Sequence, residues 1–249
     1  MTAPLFLVPV GALGPAPGAA PTTYQLDGPE GRHAADVQRL QPGETVLLSD
    51  GAGLLATCTV TAARKGALDL AVDEVDAVPE PALRWVLVQA LAKGDRDLMA
   101  LEAATELDVD EVVPWRADRS IVRWRTERAD KARRRWEQTV RAATKQSRRA
   151  RVPVVAPLAA RHTLLPRVGQ AALTLVLHEE ASEPLATVEL PASGEVLVVV
   201  GPEGGVSPQE LEALTTAGAR AVRLGTTVLR TSTAGPAALA VLNARSRWR

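Results

Sequence analysis

The chain has 249 residues, which is enough for one large domain or two modest ones without disulfide or metal support. Its single cysteine, Cys58, excludes an internal disulfide framework and a cysteine-cluster metal site; we interpret it as a small core residue of a protein from a reducing cytosol. The formal net charge of zero hides an asymmetry, because residues 116–151 contain 14 Lys and Arg but only four Asp and Glu. This Arg-rich segment, with Trp115, Trp124 and Trp136 in or beside it, favours a nucleic acid partner over an ordinary solvated helix face.

The first residues, MTAPLFLVPVGAL, predict an opening strand rather than a signal peptide. They lack a basic region and are interrupted by Pro4 and Pro9. No stretch approaches the roughly 20 apolar residues of a membrane span. We therefore expect a soluble cytoplasmic protein without a membrane partner.

Up to about Asp73, short apolar runs alternate with turn signals, which predicts a small β-rich barrel or sandwich. The predicted strands here are 5–10, 45–48, 54–60 and 68–72, with one helical segment at 33–40. Two prolines then interrupt both helix and strand patterns in residues 75–81, so this stretch is predicted to be a linker. The predicted domains are residues 1–74 and residues 82–249.

After the linker, apolar strand candidates alternate with amphipathic helix candidates. The predicted strands are 85–91, 111–114, 173–177, 196–200 and 221–224; the predicted helices are 95–107, 131–147, one that begins at Ser207, and 233–245. This alternation predicts an α/β domain with a largely parallel sheet that is covered by helices on both faces.

Two loops near the end of the chain are candidates for a binding site: GPEGGV, which follows strand 196–200, and LGTTVLRTSTAG, residues 224–235. The first precedes a well-specified helix, because Ser207, Pro208 and Glu210 form an N-cap, a first-turn proline and a capping box. Backbone groups in such a turn lack regular partners and can hold a ligand. Glycine-rich turns are more often structural, so this loop alone is weak support for a binding role.

Seven motifs in one order carry a specific resemblance that covers nearly the whole chain. They are HAADVQRLQPGE (33–44), QALAKGDR (89–96), ATELDVDEVVP (104–114), ADRS (117–120), KQSRR (145–149), GPEGGVSPQEL (201–211) and LGTTVLRTSTA (224–234). With them the chain resembles the RsmE family of ribosomal RNA uracil-N3 methyltransferases, in the SPOUT class of knotted enzymes.

The resemblance implies an α/β fold: a SPOUT-type, trefoil-knotted methyltransferase domain preceded by a PUA-like β-barrel that binds RNA. It implies S-adenosylmethionine as cofactor, bound in a bent conformation by the knot loops. The cofactor-binding residues would be Leu177, Gly201, Pro202, Glu203, Gly204, Gly205, Leu224, Gly225, Val228 and Leu229. The chain departs from the family at Ser232, where an acidic residue is common, and at Gln38, where the family's VLR becomes VQR.

Methylation of uracil N3 requires loss of the imide proton. A nearby arginine would stabilise the resulting anion, so Arg230 is the first candidate for a catalytic residue, with phosphate or cofactor-carboxylate binding as the alternative. Glu203 could accept a hydrogen bond from the cofactor or simply hold its own loop. We expect no metal, because His33, His162 and His178 lack ligand spacing.

The resemblance also implies the partners, which would be 16S ribosomal RNA or the small ribosomal subunit, and a second copy of the chain in a homodimer. The apolar segment 234–242 could form the dimer interface or could pack in the core. Candidate RNA-binding residues are Arg32, Arg39, Lys93, Arg96, Arg119 and, from the KQSRR motif, Arg149. Surface salt bridges are the alternative role for them.

Two other functions stay open at this point. A SPOUT enzyme could instead methylate a ribose 2′-hydroxyl of RNA. A protein of this fold could also be a non-catalytic RNA binder that acts in ribosome assembly.

Overall fold

The computed structural model describes residues 3–124 and 126–248, and the chain divides into two compact units. The first unit comprises Met1–Glu80 and Thr144–Val152, and the second comprises Pro81–Ala143 and Pro153–Arg249. The first unit therefore contains nine residues that lie far downstream of its other part. No local pattern in the sequence predicts that residues 144–152 belong to the first unit.

The first unit is built on a five-stranded sheet with the order β1-β3-β4-β5-β2. Its strands are β1 (Leu5–Leu7), β2 (Thr23–Leu26), β3 (Thr45–Ser49), β4 (Leu54–Arg64) and β5 (Ala67–Ala77), and its α-helix is α1 (Gly28–Arg32). A 3₁₀ turn, Pro17–Ala19, precedes β2, and a π-helical turn, His33–Val37, continues α1, so the helical segment starts earlier than the predicted 33–40. Strands β1 and β3 pair in parallel, and the other pairs are antiparallel.

One hydrophobic core serves the whole sheet of the first unit. Phe6 on β1 and Leu26 on β2 belong to the same buried cluster although these strands are at opposite ends of the strand order. The sheet must therefore curve around its core. Cys58 lies fully buried in this cluster, and burial raises the pKa of its thiol to about 12, so its interpretation as a core residue is confirmed.

Strand β5 extends to Ala77 and so occupies the start of the stretch 75–81, which the sequence analysis assigned to a linker. Residues 144–152 form hydrogen bonds with the end of β3 and with the residue that follows β5. Ser49 Oγ donates to the Ala150 carbonyl at 2.9 Å, and Arg151 Nη2 donates to the Val78 carbonyl at 2.8 Å. Residues 144–152 thus supply hydrogen bonds that residues 1–80 alone would lack.

The second unit is built on a seven-stranded, fully parallel sheet with the order β10-β12-β9-β11-β6-β7-β8. Its strands are β6 (Leu83–Ala90), β7 (Glu111–Trp115), β8 (Val154–Val155), β9 (Leu173–Leu177), β10 (Glu183–Pro184), β11 (Gly194–Val200) and β12 (Arg220–Arg223). Its α-helices are α2 (Arg96–Glu106), α3 (Thr126–Ser147), whose last turn belongs to the first unit, α4 (Arg161–Gln170), α5 (Pro208–Thr216) and α6 (Thr231–Ala244), and a 3₁₀ turn spans Leu185–Thr187. The predicted parallel α/β sheet is confirmed, whereas β8, α4 and β10 were not predicted.

Helices cover both faces of this sheet, as predicted. Alternate residues of β6 and β11, such as Val88 and Val199, join a core cluster with Leu164 of α4 and Leu214 of α5. The opposite face receives α6. A Cβ atom placed on Gly235 of this helix would lie 2.8 Å from Leu87 Cδ1, so glycine permits the close approach of helix and sheet.

The tryptophans beside the basic segment are not a set of exposed stacking platforms. Trp115 and Trp136 are only 1% and 2% exposed, and Trp115 belongs to the core of the parallel sheet. Trp124 is half-buried and meets Trp136 edge to face at 5.4 Å. The rings of Trp115 and Trp136 are used in packing, so these two residues do not support the prediction of a nucleic acid partner.

Candidate active site

The two predicted loops border one cavity of 360 Å³ in the second unit. One wall comes from the turn after β11, residues 200–206, and another from residues 228–231, between β12 and α6. Both lie beyond the carboxyl ends of parallel strands, where sheets of this type bind ligands. The sequence-based expectation that these two distant loops share a cleft is met by this geometry.

Most of the predicted cofactor-binding residues lie around this cavity. Those that line it are Leu177, Gly201, Pro202, Glu203, Gly205, Val228 and Leu229. Leu224 and Gly225 line an adjoining cavity of 80 Å³, which shares Leu177, Val228 and Leu229 with the larger one. Gly204 is in the same turn, and its carbonyl accepts a hydrogen bond of 2.8 Å from Arg119 Nη1.

The turn after β11 keeps its shape through the helix that follows it. The predicted capping box is present: Glu210 N donates to Ser207 Oγ at 3.1 Å, and Ser207 N donates to Glu210 Oε2 at 3.0 Å. Buried Glu210 also accepts from the Asp118 N–H at 2.7 Å through Oε1. The ADRS motif and the glycine-rich turn are therefore joined by the start of α5 and by Arg119.

Glu203 anchors the same turn to the start of α2. Its Oε1 accepts from the Lys93 N–H and from Arg96 Nη1, both at 3.0 Å. Partial burial would raise the pKa of this carboxyl, but the N–H groups of Glu203 and Lys93 and the Arg96 guanidinium outweigh that effect and lower it. Of the two roles considered for Glu203, these contacts favour holding the loop.

Arg230 lies at the N-cap of α6 and lines the large cavity. Its side chain is exposed, and within the described part of the chain its guanidinium has no ion-pair partner. Ser232, where the family commonly has an acid, is in the first turn of α6 and is half-buried. The cavity thus combines apolar side chains with charged ones: Arg230, which has no ion-pair partner among the described residues, and the carboxylates of Glu179 and Glu203.

Several residues around the cavity were not predicted as cofactor contacts. They are Arg96, Glu179, Val200, Val206, Thr231 and Ala234. Val200 and Val206 flank the predicted glycine turn, and Thr231 follows Arg230, so neighbourhood in sequence could have indicated them. Glu179 follows the predicted cofactor-binding residue Leu177 by two positions, so it too could have been indicated in this way.

The predicted RNA-binding residues divide between the two units. Lys93, Arg96 and Arg119 belong to the second unit and are all tied to the glycine-rich turn or to Glu203. The others, Arg32, Arg39 and Arg149, belong to the first unit. Arg32 and Arg39 are exposed there, and Arg39 has a positive φ of 57°, which is uncommon for a residue with a side chain.

Two other classes of site are absent from the described ranges, 3–124 and 126–248. Within them no group of three or more His, Cys, Asp or Glu side chains could hold a metal ion. None of the helices in these ranges combines the length and the apolar character required to cross a bilayer.

Comparison with known proteins relates both units to enzymes that modify RNA. Residues 79–243 match a family described as an RNA methyltransferase domain, and residues 26–73 match one described as an RNA methyltransferase PUA domain. The ribosomal RNA small subunit methyltransferase E of Mycobacterium tuberculosis is 46% identical over 90% of this chain and 87% of its own length. Its counterpart in Bacillus subtilis is 29% identical over 89% of this chain and 90% of its own.

Two solved structures match nearly the whole length of the chain. A ribosomal RNA small subunit methyltransferase E from Neisseria gonorrhoeae, bound to S-adenosylmethionine, matches with a TM-score of 0.82 and 29% identity over 98% of each chain. A Legionella pneumophila protein described as a methyltransferase, in complex with the same cofactor, matches with a TM-score of 0.84 and 26% identity over 98% of each chain.

The fold and the matched families define an α/β RNA methyltransferase that carries a PUA-like domain. Its relatives in sequence identify the family within this class. The chain belongs to the ribosomal RNA small subunit methyltransferase E family, so the resemblance that its motifs carried is confirmed.

Proposed function

We propose that this protein transfers a methyl group from S-adenosylmethionine to N3 of a uridine in the 16S RNA of the small ribosomal subunit. The observation that carries the proposal is the single cavity bordered by the turn after β11 and the turn before α6, in a chain that belongs to this family. Relatives with the same two units were solved with this cofactor bound. We place the reaction in the cytoplasm, where its RNA substrate is found.

The residues around the cavity suit this cofactor. Apolar side chains, among them Leu177, Val200 and Leu229, offer surface to an adenosyl group, while the N–H groups in the first turn of α6 offer partial positive charge to a carboxylate or another anion. A Cβ atom on Gly201 would lie 3.0 Å from both Val206 N and Val206 Cγ2, so glycine keeps the turn compact at the cavity wall.

When bound, S-adenosylmethionine supplies a methyl group activated by its sulfonium; this carbon bonds to N3 as its bond to sulfur breaks, and the sulfur leaves as a thioether. The chain must bring N3 into line with that carbon and favour loss of the N3 proton. We assign the second task to Arg230, because a guanidinium beside the ring stabilises the uracil anion. Ser232 cannot replace a carboxylate as base, so the proton passes to solvent water in this proposal.

Glu203 is proposed to hold the cofactor turn in its ionised form. Because its folded-state pKa lies below the unfolded value, its contribution is complete at neutral pH and is lost as the pH falls through the lowered folded-state pKa. We expect Glu203→Gln to weaken S-adenosylmethionine binding about two- to fivefold at pH 7, a range set by the exposure of the ion pair.

Calorimetric titrations of the parent and of Glu203→Gln from pH 8 down to the lowest pH at which both proteins stay folded test this expectation. The ratio of the two Kd values for S-adenosylmethionine should stay constant from pH 6 to pH 8 and should approach one at acid pH. The Glu212→Gln variant, altered on α5 outside the residues that line the cavity, is the matched control. Equal affinities of parent and Glu203→Gln at pH 7 would show that the anchor does not support the cofactor site.

We propose that RNA contacts both units. The first unit, with boundaries near the predicted 1–74 and completed by residues 144–152, would use Arg32, Arg39 and Arg149 on phosphates; the second would use Lys93, Arg96 and Arg119. Because Arg96 is paired with Glu203 and Arg119 with the Gly204 carbonyl, these two have defined positions beside the cavity before RNA arrives.

We also propose that the second unit contains the trefoil knot of the SPOUT class. The family resemblance and the chain path support it: the segment after β12 lies against the turn after β11, and α6 then returns to pack on β6, which precedes both in sequence.

We further propose a homodimer. The exposed apolar side chains Val228 and Leu229 at the cavity border are 79% and 36% exposed, which favours a partner surface there. In contrast, Leu239 and Leu242 of α6 are fully buried within the chain, so they serve core packing rather than an interface. Sedimentation measurements should give twice the mass of 26.3 kDa.

Nucleoside mass spectrometry tests the proposed reaction. Small-subunit RNA from a strain that lacks the protein is incubated with the purified protein and isotopically labelled S-adenosylmethionine. We expect one labelled 3-methyluridine per 16S RNA. Labelled 2′-O-methyl nucleosides would show instead that the enzyme methylates a ribose 2′-hydroxyl. RNA binding without any labelled product would identify a non-catalytic RNA binder.

A further inference from the structure

A buried glutamine joins the two loops of the cavity through one threonine hydroxyl. Gln89, near the end of the interior strand β6, donates from Nε2 to Thr231 Oγ1 at 2.9 Å. Thr231 Oγ1 in turn donates to the Gly201 carbonyl at 2.8 Å. Thr231 is the first residue of α6 and lines the cavity, and Gly201 opens the glycine-rich turn. The Thr231 side chain therefore connects Gln89 of the sheet with both walls of the cavity.

The hydroxyl geometry makes this contact directional. A threonine hydroxyl has one hydrogen, which goes to Gly201, so the partner beneath it has to be a donor. Gln89 supplies that donor through its amide nitrogen. If the glutamine oxygen faced Thr231 instead, it would compete with Gly201 for the same hydrogen. The orientation of the Gln89 amide thus selects the arrangement in which the two loops are linked.

Stability alone does not account for a glutamine at this position. Gln89 is fully buried, and in the described residues its Oε1 has no hydrogen-bond partner. A buried acceptor without a partner costs free energy, whereas an apolar side chain of similar size would cost little. Neighbours on either side in the same strand, Val88 and Ala90, are apolar core residues. A polar residue kept here at a cost points to a role in the adjacent cavity.

We propose that Gln89 and Thr231 are positioning residues that hold the turn Gly201–Gly205 and the start of α6 in the one arrangement that binds the methyl donor and aims Arg230. This inference rests on the proposed function for its ligand, but the linkage of the two loops can be measured without ligand. Arg230 directly precedes Thr231, so a shift of α6 that breaks the contact also displaces the Arg230 backbone.

The test compares Thr231→Val, which removes the hydroxyl at nearly constant shape, with Thr231→Ser, which keeps it. Gln89→Met, alone and combined with Thr231→Val, removes the amide donor. The matched control is Thr174→Val on β9, a residue that is 2% exposed and whose hydroxyl donates, within the described residues, to the Val168 carbonyl at 3.5 Å. Each full-length protein is measured by thermal unfolding, by calorimetric titration with S-adenosylmethionine, and by hydrogen–deuterium exchange of residues 201–206 and 224–231 without ligand.

We expect Thr231→Val to raise the Kd for S-adenosylmethionine about five- to tenfold, which is the loss of one net hydrogen bond, and to speed exchange in both loops together. Thr231→Ser should stay within about twofold of the parent. Thr174→Val should lower the unfolding temperature without changing either Kd or exchange in the loops. The Gln89→Met, Thr231→Val double variant should bind no more weakly than Thr231→Val, because both changes break the same link.

The inference is overturned if Thr231→Val behaves as Thr174→Val does, with a lower unfolding temperature but unchanged loop exchange and affinity, or if the effects of Gln89→Met and Thr231→Val simply add. Failure of the proposed function looks different. In that case the parent protein itself would bind no S-adenosylmethionine, and loop exchange in the ligand-free variants would still decide whether Gln89 and Thr231 link the two loops.

Discussion

Replacing Arg230 with alanine is expected to slow methyl transfer about 10²- to 10³-fold while the Kd for S-adenosylmethionine stays within about threefold. The residue lies at the cavity border on the N-cap of α6, and its guanidinium is not neutralised by an ion pair within the described residues. Its charge would act mainly when the uracil ring becomes anionic, which occurs on the way to methyl transfer and not when the cofactor binds. Single-turnover rates and calorimetric titrations measure the two quantities separately.

A pH profile distinguishes this role from a structural one. The arginine lowers the pKa of the N3–H group by favouring the anion, so its loss should move the rise of the rate to higher pH. Arg230→Lys keeps the positive charge and should retain most of this shift, whereas Arg230→Gln should not. Equal losses of cofactor affinity and rate in Arg230→Ala, with an unchanged pH profile, would assign the residue to cofactor binding instead.

Local signals in the sequence were enough to predict the elements that carry the site. Ser207, Pro208 and Glu210 specify the start of α5 within four residues, and the structure contains that capping box. Continuous apolar runs predicted β6, β9 and β11 because a parallel strand buried on both faces needs no alternation. The first glycine-containing loop could be assigned to ligand binding because it follows such a strand, whereas the second follows the short strand β12, and its assignment depended on the family motif.

Other features depend on contacts between distant parts of the chain, and these could not be read locally. Strand β2 has only one buried residue, Leu26, so it has no apolar pattern to detect. The segment 144–152 joins the first unit through single hydrogen bonds, such as that from Ser49 to the Ala150 carbonyl. Likewise, the sequence does not show that Gln89 meets Thr231, 142 positions later.

Charge counts were a less specific guide than motifs. Within the basic segment, Arg133 pairs with Glu137, Arg135 pairs with Asp95, and Lys145 pairs with Glu30. The last two pairs, whose acids lie outside the segment, neutralise part of the excess that suggested a nucleic acid partner. The resemblance to a family, carried by motifs at defined positions, therefore predicted the site more sharply than the composition did.

Replacing Gly31 with alanine should strongly destabilise the first unit and leave the cofactor site of the second unit intact. Gly31 lies in α1, and a Cβ atom there would be 2.5 Å from the Leu26 carbonyl oxygen and 2.7 Å from that of Gly66. Both are backbone atoms, which cannot move aside as a side chain can, so the cost should be about 1–3 kcal/mol. For a unit of this size each kcal/mol lowers the unfolding temperature by roughly 4–8 °C.

Gly18→Ala is the matched control, because a Cβ atom on Gly18 meets no other atom within 4 Å and its φ is not positive. This variant should unfold like the parent. In Gly31→Ala we expect weaker binding of 16S RNA, because exposed Arg32 and Arg39 are carried by the distorted region, but a Kd for S-adenosylmethionine within about twofold of the parent. A parallel loss of cofactor affinity would mean that the cavity depends on the first unit, since every residue that lines it belongs to the second.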